Sequence, residues 1–277
     1  MLELILYCAA YYLFAALCIS VVLHRTLSHR SLVLSQWFEQ AVVTFALPAG
    51  TPVQWVGNHR FHHAHTDVPG DPHSPHLDGF WYAHVGWYIG SHSPSVCLLY
   101  SLAGPLRTLY DAYNRPRTNQ QFNHLAADIA AVPYYRWASK PGPYGLLMVL
   151  HTVLFFGLAY IGWKWVGVGA LWLTLVLIYN LGDFVDSAAH LIGDRPFAEQ
   201  HQARNHWITG ILAAGEWHAN HHTFPYSARH GLFKGQFDLG WEIIRLLMWL
   251  GLASQVRVPE EAQIRTKLNR TIALHSD

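Results

Sequence analysis

Nine histidines stand in four short groups at the margins of strongly apolar stretches: His24 and His29 in HRTLSH, His59, His62 and His63 in HRFHH, His190 in DSAAH, and His218, His221 and His222 in HANHH. Neutral imidazole is the commonest protein ligand for a metal ion. One ion takes at most about six such ligands, in an octahedral site, so nine point to two ions sharing the set. The spacings suit that chemistry. His59, His62 and His63 lie at i, i+3 and i+4 and share one face of a helix; His218, His221 and His222 repeat the pattern. Neighbours such as His62 and His63 diverge by about 100°, enough for one helix to address two ions. Asp186 and His190 are i, i+4 and also share a face. His24 and His29 would diverge by roughly 140° on a regular helix and are expected to straddle the end of the segment that carries them. One HxxHH match alone could be solvated surface histidines. Two such triads with two further groups read as ligands, because burying so many unpaired imidazoles is costly. The other eleven histidines are read as supporting or solvated residues. His73 is the best of them as a partner orienting a ligand, and His151 reads as a packed, hydrogen-bonded residue in mid-membrane.

The elements that must position these residues are apolar. Of 277 residues 52% are hydrophobic and 13% charged, where about 25% charged is usual, and there are 12 Trp. That is the balance of a membrane protein with a substantial polar portion. A net charge of +1 argues against a nucleic acid or other polyanion as partner. Cys8, Cys18 and Cys97 form no disulfide framework, and three cysteines against 20 histidines make thiolate metals and iron–sulfur clusters poor candidates.

Residues 2–23 lack a basic leader, exceed the apolar core of a signal peptide, and read as a retained membrane helix, for which about 20 residues suffice. Residues 144–163 and 165–181 form two more crossings, joined by a very short turn into an antiparallel hairpin. Residues 37–53 carry Glu39 and Gln40 early and Pro48, Gly50 and Pro52 late. If that stretch crossed, the first two histidine groups would lie on opposite faces, so it is read as an interfacial or dipping helix. The expectation is a single all-α membrane domain over 1–277, with about three crossings. A cytoplasmic helical cap from 54–143 and 182–277 holds a di-metal site. Lys164 is then the only outer Lys or Arg of the 18, as the positive-inside rule asks. Residues 81–88, 98–110 and 239–252 are expected to lie on the membrane surface, and those from 258 onward to form an exposed charged helix.

The chain resembles the membrane fatty acid desaturases of the stearoyl-CoA and acyl-lipid delta-9 type, which carry HxxxxH, HxxHH and HxxHH boxes. The likeness runs from about Tyr11 to Pro259. Asp71-Pro72-His73, Gly79-Phe80 and His84-Val85-Gly86-Trp87 look like the stretch after the second box. Ser187-Ala188-Ala189-His190-Leu191 looks like the segment with an additional metal-binding His. Gly215-Glu216 and Phe224-Pro225-Tyr226 flank the third box as in the family, and Ser227–Gly231 with Phe237-Asp238-Leu239 looks like its bacterial branch. The resemblance implies two iron ions (Fe2+/Fe3+) held by the nine histidines and O2 as co-substrate. It implies removal of two hydrogens from a fatty acyl chain linked to CoA, lipid or acyl-carrier protein. Electrons would come from a small redox donor of ferredoxin or cytochrome b type, and the bacterial branch implies an inner-membrane protein with its site facing the cytoplasm. An unactivated CH2 group has no acidic proton and no leaving group, which suits such cofactor chemistry. Alternatives are a hydroxylase or acetylenase of the same chemistry and, in another class, a haem or metal carrier; a carrier would place histidine pairs in mid-membrane.

Three departures stand out. Asp186 occupies the place of an Asn that meets a metal through water, so it either ligates directly or binds that water. Gly57-Asn58 replaces the Arg-Asp that the animal acyl-CoA enzymes use on the CoA headgroup. Those enzymes also have an additional N-terminal crossing.

Overall fold

The computed structural model describes residues 1–46, 49–197 and 201–274. His275, and Leu47-Pro48 within the expected interfacial stretch, lie outside the described residues.

Helix α1, Leu2–Ala16, runs unbroken into π-helical turns over Leu17–Ser28. Together they make a stretch long and apolar enough to cross a membrane. The following stretch does not form one helix across 37–53. It gives a nine-residue helix, α2 (Gln36–Thr44), about 14 Å long and too short to cross. A new helix, α3 (Pro52–His65), then begins where the Thr51 side chain caps it and Pro52 takes the first turn. The stretch is therefore broken before Pro52, and neither piece is long enough to cross.

Gly104, with φ +52°, divides the 98–110 stretch between two helices, Pro94–Ser101 and α4, Pro105–Asn114. Residues 81–88, by contrast, are not a surface segment: Ala83, His84, Val85 and Gly86 are buried. His84 is anchored there through Ser187 Oγ at 3.0 Å and Asn180 Oδ1 at 3.2 Å.

The second long apolar helix, α5 (Pro141–Asp186), reverses at Lys164, whose φ of 55° and ψ of −142° are not helical. The two arms, 141–163 and 165–186, lie against each other. A Cβ on Gly167 would stand 2.3 Å from the Ala159 carbonyl oxygen, a proximity that residues eight apart reach only in a hairpin. The arms pack on α1 through Tyr11, Ala15, Ala159, Leu171, Leu175 and Ile178. Two long helices thus supply three apolar rods. Their outer faces are bare: Leu6, Val153 and Leu173 are 59%, 66% and 71% exposed, which suits lipid rather than water. His151 is packed between the rods, with Nε2 2.8 Å from Tyr11 Oη and Nδ1 donating to the Phe45 carbonyl.

Beyond Asp186 the chain forms short elements, among them α6 (His218–Thr223) and α7 (Leu239–Trp249). The π-helical turns sit in a second core with α2, α3 and α7 through Val21, Leu27, Val42, Val56 and Ile244. The only sheet among the described residues is a two-stranded antiparallel pair, β1 (Val33–Leu34) with β2 (Ala253–Ser254). It ties the chain after α7 back to the end of the first long helix. A charged helix, Glu261–Leu274, follows with its first three residues exposed.

Candidate metal centre

The nine histidines converge as two groups. His24, His29, His59, His63 and His221 form one; His62, His190, His218 and His222 form the other. In each, one nitrogen from every ring lies within 4.8 Å of the rest. Helix α3 serves both, His59 and His63 facing the first group and His62 the second, and α6 does the same with His221 against His218 and His222. His24 and His29 reach the same group although they are five apart. A π-helix bonds i to i+5, and the His29 N–H donates to the His24 carbonyl at 3.1 Å. The wider turn superimposes the two side chains that a 3.6-residue turn would spread apart.

Carboxylates behind the rings fix which nitrogen faces inward. Asp71 lies 2.9 Å from His62 Nδ1, and Asp67 2.8 Å from His190 Nδ1. Glu216 meets His218 Nδ1 at 3.2 Å, His230 Nδ1 at 3.0 Å and His24 Nδ1 at 3.6 Å, and so leans on rings of both groups. A ring donating from Nδ1 to a carboxylate presents a lone pair at Nε2. His190 and His218 are both of this kind, and their Nε2 atoms face each other at 2.8 Å. Two lone pairs at that distance repel unless a cation takes both. The Nε2 atoms of His62 and His222 are buried without a hydrogen-bond partner. This donor set fits a metal ion in each group.

Burial holds His59, His63, His221 and His222 well below the usual imidazole range, and His29 at about 3, which keeps them neutral as ligation requires. Burial alone would raise the Glu216 carboxyl. Charge from His230 and His24 and hydrogen bonds from His218 and His230 outweigh it and hold the group well below the carboxylate range.

Asp186 belongs to neither group among the described residues. Its Oδ2 accepts from the Tyr88 hydroxyl at 3.5 Å. The i, i+4 relation to His190 presumed one continuous helix, but α5 ends at Asp186, Ser187 turns away at φ −109° and ψ −76°, and His190 rides a separate turn, Ala188–Leu191. His73 is not what orients His62; its ring stacks on that imidazole at 4.3 Å while Asp71 holds the proton. Sequence reasoning gave no role to Asp67, Asp71 or Glu216, although an acid close to a histidine triad is a usable signal for a ligand-orienting partner. His230 carries no such signal. It is buried between Glu216 and Arg25, and Arg25 in turn is held by Asp238 at 2.9 Å. A Cβ on Gly240 would fall 1.6 Å from the Arg25 Nη1 atom, so that guanidinium needs glycine there.

A cavity of about 170 Å³ reaches both groups at His24, His59, His62 and His218, with apolar walls from Ala15, Ala16, Ile19, Ile178 and Val185. It runs between α1 and the second arm of α5.

Residues 3–236 match the family described as fatty acid desaturase. The chain belongs to the fatty acid desaturase family. Family membership makes the chemistry that of acyl desaturation, an oxidation. Among its relatives, the probable chloroplastic lipid desaturase ADS3.2 of Arabidopsis thaliana is 34% identical over 91% of this chain. The sn-2 palmitoyl-lipid 9-desaturase of Nostoc sp. (strain 36) is 37% identical over 89%, and the acyl-CoA C20 Delta5-desaturase of Anemone leveillei 35% over 87%. The match spans 63% of the length of the Arabidopsis protein, 78% of the Nostoc one and 70% of the Anemone one.

Proposed function

We propose that this desaturase holds two iron ions, one in each histidine group, and uses O2 to remove two hydrogens from a fatty acyl chain lying in the cavity. The balance is one –CH2–CH2– unit, one O2, two electrons and two protons giving –CH=CH– and two waters. The ions, when bound, supply the oxygen activation that no side chain can. The protein's part is to hold nine neutral imidazoles in place, four of them through Asp67, Asp71 and Glu216, and to bring the chain to them along apolar walls that exclude water. The observation that carries this reading is the convergence of nitrogens from all nine rings into two groups, with the Nε2 lone pairs of His190 and His218 facing each other in one of them. Asp186 is assigned a water rather than direct ligation.

Electrons would come from a small redox protein of ferredoxin or cytochrome b type docking on the histidine side, which the positive-inside bias makes cytoplasmic, at a bacterial inner membrane. The acyl carrier is lipid, CoA or carrier protein. A CoA contact like that of the animal enzymes has no place at position 57: a Cβ there would stand 2.6 Å from the Phe122 backbone oxygen.

The test is iron content and the fatty-acid profile of cells carrying the chain or His221→Ala. New monounsaturated acyl chains, lost together with iron in the variant while membrane insertion persists, are expected. Hydroxylated products, or full activity in His221→Ala, would overturn the reading.

A further inference from the structure

The cavity has one wall that an acyl chain alone does not explain. Arg107, Arg115, Asp183 and Tyr88 line it, supplied by α4, by the residue that follows α4, by α5 and by the segment after the second box. Helix α4 is turned inside out: Leu106, Leu109 and Tyr113 are exposed, while Arg107, Thr108 and Asp111 are buried. Arg107 donates from both terminal nitrogens to Asp183, one of them at 2.9 Å, and only its Nε is left without a partner. Arg115 has no such carboxylate fork. It is 5% exposed, its guanidinium carbon lies 3.5 Å over the Tyr88 ring, and its nearest carboxylate oxygen, Asp111 Oδ1, is 3.5 Å from Nε. Nε is buried without a partner, and no side-chain hydrogen bond of Arg115 occurs among the described residues. A guanidinium has five N–H donors, and leaving them unused in the interior is costly.

We propose that Arg115 anchors the carbonyl oxygen of the acyl group, so that the double bond's position is counted from the carbonyl end. The inference rests on the desaturase reading above. The charge ledger favours a neutral acceptor: Asp183 faces Arg107, Asp111 faces Arg115 and Asp186 lines the same cavity, so a free carboxylate would add an uncompensated buried charge. The span fits as well. Arg115 lies 5.9 Å from the Trp87 ring, Trp87 4.8 Å from His73, and His73 4.3 Å from His62, which puts the guanidinium within about 15 Å of the second histidine group. An extended chain advances about 1.2 Å per bond, so a carbonyl held at Arg115 leaves at most about a dozen bonds between itself and the carbon that meets the metals.

Ester and thioester share this carbonyl chemistry, and the substrates of the test separate them. Full-length wild type and Arg115→Met, in lipid vesicles with a reducing system, are given the same acyl chain as a glycerolipid ester, as an acyl thioester, and as an ether-linked lipid without the carbonyl. Wild type is expected to convert a carbonyl substrate with a KM at least about ten-fold below that of the ether. Arg115→Met is expected to raise KM for the carbonyl substrate by roughly ten- to hundred-fold, to scatter the double bond over several positions, and to leave the ether unchanged; Arg115→Lys should recover part of the loss. Equal handling of ether and carbonyl substrates by wild type overturns the proposal even if Arg115→Met does not fold. So does an unchanged KM and bond position in Arg115→Met. If wild type converts none of the three, the desaturase reading itself falls, and this inference with it.

Discussion

At the scale of single residues, the centre depends on imidazoles that stay uncharged where water cannot reach them. Burial drops His29 and His201 from the ordinary 6.5 to about 3. The sign follows by linkage: the unfolded chain binds protons near pH 6.5 that the folded protein refuses until about pH 3, so this stability is present above 6.5 and lost as pH falls from there toward 3. Metal-stripped protein should melt at progressively lower temperature between pH 6.5 and 4, followed by circular dichroism in detergent. A flat melting temperature across that window would contradict the burial argument. Much of the residue pattern was legible in the sequence. The i, i+3, i+4 spacings placed His62 apart from His63, and His221 apart from His222, because α3 and α6 are helical there. Nearness to a triad marks the orienting acids as candidates, but which ring each one meets was not legible, since nothing in spacing shows that Asp67 reaches back to His190 across more than a hundred residues.

At the scale of elements, two local departures from regular geometry do the positioning. The π-helical turns over Leu17–Ser28 bring His24 and His29 to one group. Spacing on an ideal helix could not reveal this, because the wider turn is stabilised by packing against α2, α3 and α7. The reversal at Lys164 was legible, from the short polar break between two apolar runs. The closeness of its arms was not, as it depends on the missing side chain at Gly167. Gly167→Ala is expected to force the arms apart against the Ala159 carbonyl and to cost about 1–3 kcal/mol, read as a lowered melting temperature in detergent. The same substitution at Gly169, which has nothing within 4 Å of an added Cβ, should be silent.

At the scale of the whole molecule, the three rods have one set of ends at the histidines and the other at the Lys164 turn. Each α5 arm spans more than 20 residues, about 30 Å, the thickness of a hydrocarbon core. A cysteine placed at Lys164 should react with an impermeant thiol reagent only from outside sealed cells. One at exposed Arg245, on α7, should react only in inverted vesicles; labelling of both from one side would refute the three-crossing arrangement. The number of rods was legible in hydropathy. Which shorter segments cling to the bilayer was not: residues 81–88, aromatic enough for a surface, are consumed as packing behind the second histidine group.

Helix α4, with leucines facing out and arginine facing in, has one more consequence. A helix so dressed suits contact with lipid on its leucine face, while Arg107 on its other face lines the cavity; a substrate entering beside it would come from the bilayer itself. A lipid could slide in sideways without ever being lifted into water. Turnover should then follow the mole fraction of substrate within the vesicle, not its bulk concentration. Diluting the bilayer with a lipid that is not a substrate, at constant total substrate, is expected to slow the reaction, and diluting the suspension with buffer is not.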